Sequence, residues 1–287
     1  MKLNKNKDTK ILIIGLGLIG GSYAIALKKK GYTVKAITKE ESSVRYAMEH
    51  KIVDYATTAV EEALIKEADL IVFALYPTIF LEWIKSYQHL FRPGTVITDV
   101  TGVKCCIVYD IQNLLRDDVE FIAAHPMAGR ESSGVENSTD KIFENANYIV
   151  VPTEKNTPEA IELCMELGRE LGFRRVSLLS PEEHDKMIGF LSQLTHCIAV
   201  SLMCTNGDPL LCEYTGDSFR DLTRIAKINE HMWSELFMLN QDILLQQMDA
   251  FIEEISSFRS LLASGDAEGM REKMRCSTER RMQFDRK

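Results

Sequence analysis

The group in this chain best suited to move a proton is the histidine of His125-Pro126-Met127-Ala128-Gly129, which sits beside a tight turn with Glu131 just beyond it. Imidazole has the side-chain pKa nearest neutrality, so a histidine held in a cofactor cleft can take or give a proton during hydride transfer. The bland alternative is that His125 only caps a buried strand, Phe121 to Ala124. What favours chemistry is a glycine-rich segment one domain earlier. There the apolar run Lys10 to Ile14 leads into Gly15-Leu16-Gly17-Leu18-Ile19-Gly20-Gly21 and then into helix-compatible residues closed by Gly31. In that strand-to-helix setting Gly15 permits the turn, Gly17 lets the backbone approach a pyrophosphate, and Gly20 allows close strand-helix packing. The helix start at Leu18 and Ile19 offers amide N–H groups to phosphates.

The elements that must position these residues follow from periodicity. Short apolar runs at Thr33 to Ile37, Leu70 to Leu75, Thr95 to Asp99 and Phe121 to Ala124 alternate with helical stretches, which predicts a parallel, doubly wound α/β sheet. Tyr148 to Pro152 and Arg175 to Leu179, flanking a helix from about Pro158 to Leu171, are expected to extend that sheet. After the helix start Ser180-Pro181-Glu182-Glu183 the strand signal nearly ends. The expected division is therefore a Rossmann-type domain over 1–179 and an all-α domain over 180–287, with Ile225 to Leu262 and Ala267 to Phe284 helical. The methionine and aromatic stripes of that half read as helix packing or a dimer surface.

Composition narrows the function classes. Thirty-four basic and 42 acidic residues give a net charge of -8, which argues against a general nucleic-acid or anionic-membrane binder but allows a local basic pocket for an anionic small molecule. No continuous apolar stretch reaches the roughly 20 residues of a membrane span. The lysine-rich Met1 to Lys10 lacks the apolar centre of a signal peptide, so a cytoplasmic location is expected. The seven cysteines show no CxxC pairing and read as reduced thiols. Cys197 and Cys204 can share a helix face, but two thiols make a poor metal site, and no metal is expected.

In the helical half, Asp185, Gly189, Ser192 and His196 recur at i, i+4, i+7 and i+11, which would stack them on one face as a pocket wall. His184, near the helix start, is explained by capping or exposure. Further on, Arg220 and Arg224 flank Asp221 in Phe219-Arg220-Asp221-Leu222-Thr223-Arg224-Ile225-Ala226. Arg224 reads equally as a clamp for a substrate carboxylate and as part of a structural ion pair.

Taken together, Gly15 to Gly20, Asp99 to Lys104, the HPMAG segment with Glu131, Ser180 to His196, and Phe219 to Ala226 with Trp233 resemble the prephenate dehydrogenase family, including its arogenate dehydrogenase members. The ordered match spans nearly the whole chain. It implies an N-terminal Rossmann domain, a helical dimerisation domain, and oxidative decarboxylation of prephenate to 4-hydroxyphenylpyruvate with hydride transfer to NAD or NADP. It further implies His125 as acceptor of the substrate hydroxyl proton, Arg224 on a carboxylate, His196 and Ser192 lining the pocket, and Glu131 as a gate or supporting group. Trp233 is a pocket wall or helix packing, the latter favoured.

Three departures from the family pattern stand out. Gly102 occupies the place of a serine expected to hydrogen-bond the histidine and the substrate hydroxyl, and Thr101 could replace it only with its hydroxyl turned inward, while Asp99 and Lys104 keep the loop's frame, with Asp99 also expected as a cofactor contact. Thr38, followed by Lys39, stands where an NAD fingerprint would place a carboxylate, which leans toward NADP. Gln193 replaces a second histidine. The alternatives are a beta-hydroxyacid or imine reductase of similar architecture, which leaves HPMAG and FRDLTRIA unexplained, and a dinucleotide sensor without catalysis, supported by Gly102.

Overall fold

The computed structural model describes residues 8–284, so most of the lysine-rich start read above lies outside the described residues. The first half alternates strand and helix: β1 (Lys10–Ile14), α1 (Leu18–Lys29), β2 (Thr33–Ile37), α2 (Glu41–Glu49), β3 (Tyr55–Thr57), α3 (Glu62–Glu67), β4 (Leu70–Phe73), α4 (Pro77–Tyr87), β5 (Val96–Asp99), α5 (Cys105–Leu114) and β6 (Glu120–Phe121). These strands form one parallel sheet in the order β3-β2-β1-β4-β5-β6. Both faces are covered, which is why β1 reads as an unbroken apolar run. Ile11 and Ile13 enter one core cluster, and Leu12 and Ile14 enter the other. Each such buried side chain contributes about 1.5–3 kcal/mol.

The sheet does not continue as expected. β7 (Ala123–Pro126), β8 (Asn147–Val151) and β9 (Arg175–Leu178) make a separate three-stranded sheet, with β7 antiparallel to β8 and α6 (Pro158–Glu170) joining β8 to the parallel β9. The physical reason lies at Ala124. Ile122 N–H still bonds Ile97 of β5, but Ala124 N–H donates to the Asp99 carboxylate at 3.0 Å and its carbonyl accepts from the Lys104 ammonium at 2.6 Å. Side chains thus replace the ladder, and the strand turns away into the second sheet carrying His125.

From Ser180 onward the described chain is helical: α7 (Pro181–Ile188), a π-helical segment (Gly189–Leu194), α8 (Thr195–Thr205), α9 (Leu211–Tyr214), α10 (Asp217–Thr223), α11 (Glu230–Leu239), α12 (Gln241–Ser264) and α13 (Ala267–Met282). Ser180 starts α7 with a reciprocal capping box to Glu183. The single helix expected over Ile225 to Leu262 is broken twice, by a 3-10 turn at Arg224–Ala226 followed by the cap Asn229, and at Asn240. The run Pro181–Thr205, made continuous by the π segment, is long and apolar enough to cross a membrane by length and composition. The expectation that no stretch reaches that length counted only uninterrupted apolar residues. This run instead carries buried His184, Asp185 and Gln193, each hydrogen-bonded to other parts of the chain.

Candidate active site

The glycine loop lies at the carboxyl end of β1, where a parallel sheet opens toward ligands. Gly15 has φ +100°, and a Cβ there would lie 2.5 Å from the Ala74 carbonyl oxygen, while one on Gly20 would lie 2.0 Å from that of Gly15. Both glycines are demanded by the backbone. Gly17 differs, because a Cβ there meets nothing within 4 Å. It caps α1, whose first turn has no acidic residue and whose N-terminus carries the positive end of the helix dipole. These features fit a dinucleotide pyrophosphate. At the end of β2, Thr38 is buried and its hydroxyl accepts the Leu16 N–H at 3.3 Å, while the Lys39 side chain is 89% exposed.

Asp99, named above as a cofactor contact, is wholly buried, and its two oxygens are occupied by Lys104, Thr101 and Ala124. It anchors the loop and does not face the cleft. Thr101 is corrected as well. Its hydroxyl bonds the Asp99 carboxylate and the Val103 carbonyl and accepts from Lys104, so it points away from the histidine it was expected to assist. Gly102 sits at the cleft in its place, where a Cβ would lie 4.0 Å from His125 Nε2 and 3.5 Å from the Leu236 side chain of α11.

His125 is half-buried at the tip of β7, and the partner it finds comes from the helical half. Its Nδ1 lies 2.9 Å from Nε2 of His184, whose Nδ1 lies 2.7 Å from Asp185 Oδ1. Asp185 also accepts the backbone N–H groups of Lys104 and Cys105, both at 2.8 Å, at the start of α5. Burial, reinforced by the His184 imidazole and the Lys104 ammonium, holds His125 well below the usual histidine range, so it is neutral near pH 7. His184 is lowered too, chiefly by burial against the opposing pull of Asp185. Sequence reasoning set His184 aside as a capping residue. The signal that could have found it was its neighbour, since a histidine next to a buried aspartate has a proton acceptor ready made.

The polar stripe expected along Asp185, Gly189, Ser192 and His196 divides. A π segment advances the helix by a different angle per residue, so the 3.6-residue phase is lost. Asp185 turns to α5 and Gly189 packs toward Ile243 of α12. Ser192 is half-buried and its carbonyl accepts from His196 Nδ1 at 2.8 Å. The His196 ring stacks on Trp233 with centroids 3.7 Å apart, one helical turn from Leu236. Burial lowers the His196 pKa, with Glu131 and Arg224 close enough to pull it in opposite directions. Arg224 is exposed and donates to Glu131, an ion pair that joins the helical half to the segment after β7. Gln193 is buried and spans Leu236 and Asn240, so it braces the helices away from the pocket.

The chain thus holds a neutral base at His125, a helix start suited to phosphate at α1 and an exposed arginine in the helical half. Residues 23–177 match the family described as prephenate dehydrogenase, nucleotide-binding domain, and residues 180–276 match prephenate dehydrogenase, dimerization domain. The chain is 33% identical over 276 residues to a prephenate dehydrogenase of Bacillus subtilis, covering 93% of this chain and 74% of that one. It is 28% identical to a cyclohexadienyl dehydrogenase of Zymomonas mobilis, covering 95% and 94% of the two chains. A prephenate dehydrogenase from Aquifex aeolicus, solved with hydroxyphenyl propionate and NAD+, superposes with a TM-score of 0.88 at 29% identity over 96% of this chain and 98% of that one. On sequence and on fold together, this chain belongs to the prephenate dehydrogenase family.

Proposed function

We propose that this chain oxidatively decarboxylates prephenate to 4-hydroxyphenylpyruvate, with residues 1–179 binding the dinucleotide and 180–287 completing the substrate pocket and pairing two copies. The observation that carries the proposal is the free Nε2 of a neutral His125 beside Gly102, with its Nδ1 occupied by His184. A bound nicotinamide supplies the acceptor for the hydride leaving the ring carbon that bears the hydroxyl. As that carbon gains carbonyl character its hydroxyl must shed a proton, and His125 Nε2 is the acceptor. Loss of the ring carboxylate as carbon dioxide then aromatises the ring. The phenolate oxygen recovers the proton from His125, so no proton is consumed.

Arg224 is suited to a substrate carboxylate because its present partner holds it weakly. An exposed ion pair is worth about 0–1 kcal/mol, so a dianionic substrate can displace Glu131 and leave it as a gate beside the entrance. His196, held by the Ser192 carbonyl and stacked on Trp233, lines the same space with Ser192. Gly15, Gly17 and Gly20 with the amides of Leu18 and Ile19 hold the pyrophosphate.

The cofactor reading leans to NADP. A carboxylate at the end of β2 would bind the ribose diol and repel a 2'-phosphate, whereas this chain has Thr38 and the exposed Lys39 there. All seven cysteines are unpaired, in keeping with a reducing, cytoplasmic setting. The test is a rate comparison of prephenate and arogenate, each with NAD+ and NADP+. Turnover of prephenate with a higher kcat/KM for NADP+ is expected. Faster arogenate turnover would reassign the substrate, a preference for NAD+ would overturn the cofactor reading, and no turnover of either compound would sink the proposal.

A further inference from the structure

Three polar side chains from two domains stand in a row behind the cleft: His125 on β7, then His184 and Asp185 on α7. Only one arrangement of protons satisfies all the contacts. Asp185 Oδ1 also receives the Lys104 N–H and Oδ2 receives the Cys105 N–H, so the carboxylate is fixed as an acceptor at the start of α5. Burial works against that charge, but the His184 contact and these backbone donors outweigh it and lower the Asp185 pKa. His184 must therefore carry its proton on Nδ1 and donate it to Asp185. A neutral His184 then has a lone pair on Nε2, and His125 must donate Nδ1–H to it. That leaves the His125 lone pair on Nε2, the atom facing Gly102.

We propose that His184, oriented by Asp185, is a positioning residue that fixes the tautomer and ring angle of His125. His184 is wholly buried and Asp185 nearly so, and neither touches the space in front of Nε2. The pair also explains how the base stays ready without a serine at Gly102, because its orientation comes from behind. When His125 becomes an imidazolium, its Nδ1–H remains directed at His184, and the Asp185 carboxylate lies one ring further on to stabilise the charge. The dependence runs between domains, since α7 belongs to the helical half and β7 to the other.

This inference rests on His125 as the base, so its test includes a readout that needs no turnover. Nitrogen-15 spectra of the ligand-free protein should show both His125 and His184 as Nδ1–H tautomers, and His184→Leu should leave His125 as a tautomer mixture. His184→Gln, whose Oε1 can take the place of Nε2 as acceptor, should keep His125 on Nδ1–H. In turnover, His184→Leu should lower kcat by roughly 10- to 100-fold at little changed KM, part of the roughly 10²–10⁴-fold a positioned base supplies, with most of the loss recovered in His184→Gln. An Nε2–H tautomer for His125 in the unaltered protein would overturn the inference, as would equal kcat in the Leu and Gln variants. If the tautomers are as expected but His125→Asn keeps full turnover, the base assignment fails and the positioning geometry stands.

Discussion

At the scale of single residues, the proposed mechanism depends on keeping one imidazole neutral. His125 is faced by the His184 ring from α7 and the Lys104 ammonium from the loop before α5, with Asp185 behind the first and Asp99 pairing the second. Burial comes first among the causes that disfavour its charged form. The sign follows directly. In the role proposed for His125, protonation removes the lone pair that accepts the substrate proton, so activity should fall as pH drops through the folded-state pKa, which lies below 6.5. The folded chain also binds this proton less readily than the unfolded chain, so the same acidification reduces stability from the unfolded value downward. We therefore expect kcat/KM to be level through neutrality, with its acid limb below 6.5. His125→Asn should lower kcat by roughly 10²–10⁴-fold and abolish that limb. An acid limb at or above the ordinary histidine value would assign the titration to a different group.

At the scale of elements, two glycines of one loop have separable tasks. Alanine at Gly20 drives a methyl into the backbone of Gly15, whereas alanine at Gly17 projects into open space before α1. Gly20→Ala should cost about 1–3 kcal/mol of folding stability, as overpacking does, and weaken dinucleotide binding. Gly17→Ala should leave the melting temperature nearly unchanged yet weaken binding at least tenfold, because its methyl would occupy the place proposed for the phosphates. Thermal melts beside fluorescence titration with the reduced cofactor would check both, and a Gly17→Ala variant with normal affinity would move the phosphates elsewhere. The loop was legible in sequence because strand, turn and helix are all local. The second sheet was not, since the turn of the strand at Ala124 depends on two side chains, Asp99 and Lys104, that lie 25 and 20 residues away. The same limit hid His184: a constant 3.6-residue phase put Asp185 and His196 on one wall, and the π segment between them divides that wall. β3, three residues long, has too little pattern to announce itself.

At the scale of the whole molecule, the helical half leaves a row of apolar side chains uncovered. On α12, Leu245, Ile252, Ile255 and Leu262 are 49%, 53%, 56% and 63% exposed. Their spacing of seven, three and seven follows a heptad seam, the pattern by which one helix packs along another. Within the described chain, α12 packs on α13, on α11 and on the π segment, and this seam stays bare. Residues 180–276 match a dimerization domain, so the occupant we expect is the same seam, or the neighbouring α13, of a second copy. Because the same α12 packs against the segment that follows His184 and Asp185, pairing would brace the element from which the base is held. Charge on the seam tests this without entering the pocket. Ile252→Glu with Ile255→Glu removes two apolar side chains from each copy and sets like charges near a twofold axis, a loss on the order of several kcal/mol for the pair. Sedimentation of the unaltered protein should give the mass of two chains and of the double variant the mass of one. The monomer should keep its dinucleotide affinity, since the glycine loop lies in the other domain, and lose turnover as α7 loosens. A variant that remains a dimer would place the interface on another face of the helices.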